Sequence, residues 1–248
     1  MNFKDYFSSD AADYAQYRPR YPTRLFEYLA FLTSARALAW DCATGNGQAA
    51  RGLAGFFKHV IATDGSDKQI TNAERNDRIS YRVATAEESG LESRSVDLIT
   101  VAQALHWFHI REFFDEANRV LKSNGILAVW CYNLLEISPL IDRLVANFYR
   151  ETVGSYWDFD RRLVETGYGT VAFPFTELAV PKFQMEASWS LAHLLGYLRT
   201  WSATKKFIAA QGFDPVVALA AELASAWGER DNRKRVSWPL SVRIGRCS

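Results

Sequence analysis

The sequence predicts an α/β fold built on a doubly wound, mostly parallel sheet, and three observations carry that prediction. Apolar runs of strand length recur through the first half: "ALAWDCA" (37–43), "HVIATD" (59–64), "ISYRVAT" (79–85), "VDLITVAQ" (96–103) and "GILAVWCYN" (125–133). Helix-compatible stretches separate them, and continuous rather than alternating runs mark strands covered on both faces. The first run ends in a glycine loop, as the first strand of such sheets does.

The remaining elements follow in order. In "IREFFDEANRVLK" (110–122), Ile110, Phe113, Phe114, Ala117, Val120 and Leu121 share one helical face, with Asn124-Gly125 as the expected stop. After residue 133 the rhythm changes. A helix is expected at about 138–152, then a segment rich in Gly, Pro and aromatics (154–175), then a strand in "FQMEASWS". Ser190 is placed to cap a helix carrying Leu191, Leu194, Leu195 and Leu198, and Asp214-Pro215 opens another. Val236, Trp238, Leu240, Val242 and Ile244 alternate as in a half-buried strand, and Pro239 inside it marks an edge or a bulge. Neither an internal repeat nor a low-complexity linker interrupts the chain. One domain over 1–248 is expected, with an N-terminal segment (1–30) over the site and cap insertions within 135–215.

With 248 residues, 48% of them apolar, the chain can bury a full core, and a formal net charge of +1 offers no field for a polyanion. The most basic run, 229–236, mixes signs and reads as a solvated turn, so no nucleic-acid partner is expected. Cys42, Cys131 and Cys247 lack metal-ligand spacing, and no metal is expected. Cys42 and Cys131 lie in apolar runs, as small buried hydrophobes do. With no signal-like or membrane-spanning stretch, a soluble cytoplasmic protein is the expectation.

Gly45, Gly47 and Ala50 fit the G-x-G-x-x-G/A spacing of a dinucleotide loop. Such glycines let backbone approach a ligand, whichever nucleotide it carries. Asp41 tilts the choice. A carboxylate at the strand tip opposes a pyrophosphate and suits a ligand bearing an ammonium and a sulfonium, such as S-adenosylmethionine. Asp64 ends the second strand, where an acid accepts from ribose hydroxyls in both cofactor classes, so it does not discriminate.

"AWDCATGNGQAA", "VIATDGSDKQI", "RVATAEESGL", "SVDLITVAQALHWF" and "EANRVLKSNGILAVW", in this order, resemble the class I S-adenosylmethionine-dependent methyltransferases. "YAQYRPRYP", "SYW", "FPF" and "TWSA" are similar to the subgroup related to trans-aconitate methyltransferases. The resemblance implies a Rossmann-like, seven-stranded sheet with an antiparallel last strand and a helical cap. It places Asp41, Thr44, Gly45, Asn46 and Gly47 around the methionine part, with Gln48 at the helix start. Asp64 would bind the ribose beside Ser66 and Gln69, Ala86 and Glu87 would lie at the adenine, and Gln103 under the methionyl group near His106 and Trp107. Two positions depart from the family pattern: Ala43 stands where many members have glycine, and Thr85 where many have Asp.

Methyl transfer from a sulfonium is an in-line displacement in which alignment does most of the work. A base is needed only when the acceptor atom holds a proton. His106, just past the fourth strand, is the candidate for substrate orientation or base, and Trp107 for a pocket wall. His109 is expected to cap the next helix, and His59 and His193 to be surface or half-buried. Tyr14, Tyr17 and Arg18 are expected to fold over the cofactor, Arg18 as an anion clamp. Tyr156, Trp157, Arg161, Tyr168 and Trp201 are lid or pocket candidates. The expected function is methyl transfer from S-adenosylmethionine to a small-molecule acceptor, with the subgroup resemblance and Arg18 leaning towards a carboxylate. The alternatives are a non-catalytic S-adenosylmethionine-binding protein and an NAD(P)-dependent oxidoreductase.

Overall fold

The computed structural model describes residues 17–229 and 231–247. Helix α1 (Thr23–Leu32) precedes the alternation β1 (Leu38–Cys42), α2 (Gln48–Ala54), β2 (His59–Asp64), α3 (Asp67–Thr71), β3 (Ile79–Val83), β4 (Val96–Ala102), α4 (Ile110–Val120) and β5 (Leu121–Tyr132). These strands pair in parallel, in the spatial order β3-β2-β1-β4-β5. The long strand β8 (Lys234–Arg246) lies antiparallel against β5. Beyond it, β6 (Thr176–Glu177) and β7 (Phe183–Trp189) both pair antiparallel with β8 and share its outer edge. The sheet therefore has the seven positions and the antiparallel last strand that the sequence led us to expect, with the outermost position broken in two.

Burial on both faces explains the unbroken apolar runs. Leu25, Phe26 and Leu29 of α1 and Leu53 of α2 pack with Ala39, Leu98 and Ala128 on one face. Phe113, Phe114 and Val120 of α4 pack with Trp40, Ile99 and Val129 on the other. Neighbouring residues of β1, β2, β4 and β5 thus serve opposite layers, whereas β3, at the sheet edge, buries only Ile79 and departs from the two-sided cover expected of it.

One boundary differs from the expectation. Asn124-Gly125 does not stop α4, because the chain leaves the helix at Leu121 (φ −65°, ψ 137°) and enters β5 directly. Asn124, at φ 64°, then sits inside the strand where the register jumps from Leu121–Val96 to Ile126–Leu98. A side chain on Gly125 would lie 2.8 Å from the Lys122 carbonyl oxygen. A helix end and a strand bulge both call for positive φ or glycine, so the dipeptide alone does not separate them.

A second core forms the cap. It gathers α5 (Pro139–Asn147), which runs on as a π-helical turn over Phe148–Thr152, and, after the short α6 (Arg161–Glu165), whose Val164 joins the sheet core instead, α7 (Leu191–Arg199), α8 (Ser202–Gln211) and α9 (Val216–Trp227). Trp189, Tyr197, Trp201, Trp227 and Trp238 are its large buried side chains, and its apolar layer continues through Val216, Leu219 and Leu223. Both expected caps are in place. Ser190 accepts the N–H of His193 at 3.3 Å, and Asp214 accepts that of Val216 at 2.9 Å.

Pro239 is accommodated as its chemistry requires. Residues 240–246 of β8 pair with β5, whereas 234–240 pair with β7. Ser237 exchanges both backbone hydrogen bonds with Glu136, so alternation turns the Pro239 nitrogen to that same side, past the end of β5 at Tyr132. The missing donor falls where the β5 ladder has ended.

Candidate active site

The tips of β1, β2 and β4 converge at the glycine loop. Ala43 (φ 53°), Gly45 (φ 56°) and Gly47 (φ 83°) all take left-handed backbone, so the alanine adopts a conformation that favours glycine. A side chain at Gly47 would collide with the Tyr81 hydroxyl, whereas one at Gly45 would meet nothing within 4 Å. The loop is thus tight below and open above Gly45, as a backbone cradle for a ligand must be. Thr44 is buried, and Asn46 and Gln48 are half-buried, with Gln48 Nε2 donating to the Pro19 carbonyl at 3.0 Å.

Asp41 lies beneath this loop. It is fully buried. One carboxylate oxygen accepts from Thr44 Oγ1 at 2.5 Å, the other from Thr100 Oγ1 at 2.7 Å, and the Ala50 N–H also donates to it. Burial outweighs these hydrogen bonds and pushes the carboxyl up from 3.8 to about 6, with Asp64 adding like-charge repulsion. Asp64, also buried, accepts the Gly45 N–H and the Ser66 N–H, each at 2.9 Å. Ser66 caps α3 by accepting the N–H of Gln69 at 3.4 Å.

Past β3, Ala86 is buried and Glu87 accepts the backbone N–H of His109 at 2.9 Å. That changes one expectation: the His109 side chain does not cap α4, and the Glu87 carboxylate takes the N-terminal donor instead. At the end of β4, Gln103 (φ 58°) bridges to β5, accepting the Tyr132 N–H at 2.8 Å and donating to the Tyr132 carbonyl at 3.2 Å.

The "LHW" turn follows at Leu105–Trp107. His106 is buried, with Nδ1 3.1 Å from the Tyr168 hydroxyl, and Trp107, at 39% exposure, packs on it with ring centroids 4.6 Å apart. Tyr168 is wholly buried. When the Tyr168 hydroxyl donates to His106 Nδ1, the imidazole proton lies on Nε2. Burial first, and the nearby Arg161 cation second, lower His106 from 6.5 to about 3. At neutral pH this imidazole is uncharged.

The cap aromatics pack on one another and on neighbouring cap residues. Trp157 lies 4.8 Å from the Tyr149 ring and 5.7 Å from Trp201. Tyr156 packs on Phe207 and accepts from Gln211 at 2.8 Å. Arg18 donates to the Tyr132 hydroxyl at 3.1 Å and to the Thr200 carbonyl at 3.5 Å, and stacks over Tyr197. Tyr17 meets the His193 ring edge-on at 5.0 Å. Tyr14 lies outside the described residues.

Comparison with known proteins fixes the family. Residues 40–129 match the family described as a methyltransferase domain. A Dictyostelium discoideum protein described as a methyltransferase is 35% identical over 238 residues, 94% of this chain and 90% of its own length. The chain belongs to the methyltransferases. A solved structure described as a type II methyltransferase of Anaeromyxobacter dehalogenans matches with a TM-score of 0.87 at 41% identity, covering 92% of this chain and 97% of that one. A Saccharomyces cerevisiae protein described as S-adenosylmethionine-dependent is 29% identical, spanning 64% of this chain and 60% of its own.

The methyltransferase's cofactor is S-adenosylmethionine, and the nicotinamide alternative falls with the family assignment. The donor set fits it: an acid at the β2 tip for ribose hydroxyls, an open backbone cradle at Gly45, and a buried negative charge under the loop. Sequence reading missed Thr100 beneath Asp41, Tyr81 against Gly47, and Tyr149 beside Arg161. Each is brought in by tertiary packing and carries no local motif. Among the described residues no cluster of metal-ligating side chains occurs and no helix is long and apolar enough to cross a membrane.

Proposed function

We propose that the methyltransferase acts on a small-molecule acceptor that carries a carboxylate. The observation that carries this reading is the state of His106: buried and neutral, with Nδ1 against the Tyr168 hydroxyl, and in this reading Tyr168 donates to Nδ1 so that Nε2 carries the proton. Such a ring is a hydrogen-bond donor rather than a proton acceptor, and a carboxylate is an acceptor from which no proton need be removed. The resemblance to the trans-aconitate methyltransferase-related subgroup supports the same reading.

S-adenosylmethionine supplies a methyl group on a sulfonium that is displaced in line. In this proposal Thr44, Gly45, Asn46, Gly47 and Gln48 hold the methionine part, and Asp41 provides negative charge from below. Asp64, Ser66 and Gln69 take the ribose, Ala86 and Glu87 the adenine side, and Gln103 and Trp107 the methionyl end. His106 orients the acceptor through Nε2–H. Tyr17, Arg18, Tyr156, Trp157 and Trp201 belong to the acceptor side. Arg18 ties the N-terminal segment to Tyr132 and Thr200, and the cap, running to α9, closes over the acceptor as part of a single domain.

The test is label chemistry. Purified protein is incubated with methyl-tritiated S-adenosylmethionine and a deproteinised small-molecule extract, and the products are treated with alkali. Methyl esters release volatile tritiated methanol; ethers and N-methyl products do not. Label that stays non-volatile would refute the carboxylate reading.

A further inference from the structure

Resting on that reading of the acceptor site, we infer that Arg161 seats the acceptor's carboxylate. It opens α6, whose Val164 carbonyl receives Asn133 Nδ2 from just beyond β5 (3.1 Å). That locates the side chain off the carboxyl ends of β4 and β5, where open α/β sheets bind ligands. Its charge is felt at His106, at Cys131 and at Tyr149, three residues from three different elements.

How the guanidinium is held distinguishes it from the other partly buried arginines. Arg51 pairs with Glu74, Arg243 with Glu177 and two carbonyls, Arg246 gives its terminal nitrogens to the Asn124 and Leu32 carbonyls, and Arg18 gives its own to Tyr132 and Thr200. Arg161 forms no ion pair among the described residues. It stacks 4.8 Å from the Trp157 ring and 5.8 Å from Tyr149, and its one side-chain hydrogen bond runs from Nε to the Tyr149 hydroxyl at 3.2 Å. Tyr149 in turn donates to Glu165 at 2.6 Å, which fixes the ring that fixes the arginine. Among the described residues both terminal nitrogens, the fork that matches a carboxylate, are left for a ligand. The anion clamp that the sequence suggested at Arg18 is better supplied by Arg161, because the Arg18 fork is already engaged by the protein.

Neutral His106 and cationic Arg161 therefore stand together with aromatic walls: one donates a hydrogen bond, the other supplies the charge. Tyr149 acts through Arg161 and is a positioning residue.

Calorimetry on the full chain saturated with S-adenosylhomocysteine tests the inference, using benzoate, succinate and citrate as probes with benzamide and succinamide as neutral counterparts. At least one acid is expected to bind, and the amides to bind at least about tenfold more weakly. Arg161→Gln is expected to weaken acid binding about 10- to 100-fold, as for loss of a charge-assisted hydrogen bond. Arg161→Lys, which keeps the charge and loses the fork, is expected to lose less. Affinity for S-adenosylhomocysteine should match wild type in both variants, which also reports that they are folded. Equal acid binding by wild type and Arg161→Gln, or no acid binding by wild type at millimolar concentration, would overturn the seat. Failure of wild type to bind S-adenosylhomocysteine would instead sink the reading beneath it.

Discussion

Replacing Asp41 by Asn should stabilise the protein at neutral pH. Asp41 is fully buried, and its carboxyl is raised from 3.8 to about 6 despite hydrogen bonds from Thr44, Thr100 and Ala50. Two pKa units at 1.36 kcal/mol each make the ionised form cost about 3 kcal/mol in the folded state. The sign follows from the direction. The folded carboxyl binds its proton more tightly than the unfolded one, so its favourable contribution is complete below about 4. That contribution is lost as pH rises to about 6. Asn keeps the shape, retains one carbonyl acceptor, and presents an amide N–H that a rotated threonine hydroxyl can accept. Urea denaturation of wild type and Asp41→Asn at pH 4 and pH 7.5 should show the variant ahead by about 1–3 kcal/mol at the higher pH and level at the lower. A variant less stable than wild type at pH 7.5, or a difference that does not change with pH, would refute the account. The same substitution should weaken S-adenosylmethionine more than S-adenosylhomocysteine, since only the former carries the sulfonium charge.

Other consequences can be checked separately. Asp64→Asn should lower affinity for S-adenosylhomocysteine about 10- to 100-fold by calorimetry, since a carboxylate that accepts from loop N–H groups is also the expected ribose acceptor. Undiminished binding would remove Asp64 from the site. Gly47→Ala should cost about 1–2 kcal/mol for the left-handed backbone and more for the collision with Tyr81, so adding Tyr81→Ala should recover only the second part. A Gly47→Ala variant that melts with wild type contradicts this. For His106, NMR should show no imidazole titration between pH 5.5 and 8; a midpoint near 6.5 would overturn the neutral-donor assignment. Because its pKa is lowered in the folded state, its contribution to stability is present above about 6.5 and lost as pH falls towards 3. Tyr168→Phe strands the buried Nδ1 and should cost about 1–3 kcal/mol in a melting assay.

The sheet was largely legible because strands buried on both faces write themselves as unbroken apolar runs, and β1, β2, β4 and β5 all did. Ser190 and Asp214 were legible too, since a cap is a local chemical event. The glycines of the loop could be placed for the same reason: left-handed φ at Gly45 and Gly47 is a demand on residue type. Asp41 was legible as a charge near the ligand, but its depth was not. Thr100, which helps hold it, comes from a different strand. Glu87 and His109 show the limit on a smaller scale, because either side chain suits a helix start and only the loop path decides between them. Arg161 is the plainest case. That it meets no acidic partner among the described residues is a property of the fold, and the same residue type at 119 and 243 meets a glutamate.

The division of β8 has a practical consequence for anyone redirecting this enzyme. One half of the strand completes the cofactor-binding sheet and the other half is the row on which β7 and the cap are built. Exchanging the cap with that of a relative by splicing only the stretch between β5 and α9 would leave the new β7 registered against a foreign edge. A working chimera has to carry residues 234–239 with the graft and place its second junction inside a continuous strand, at the point where Pro239 already interrupts the pairing towards β5.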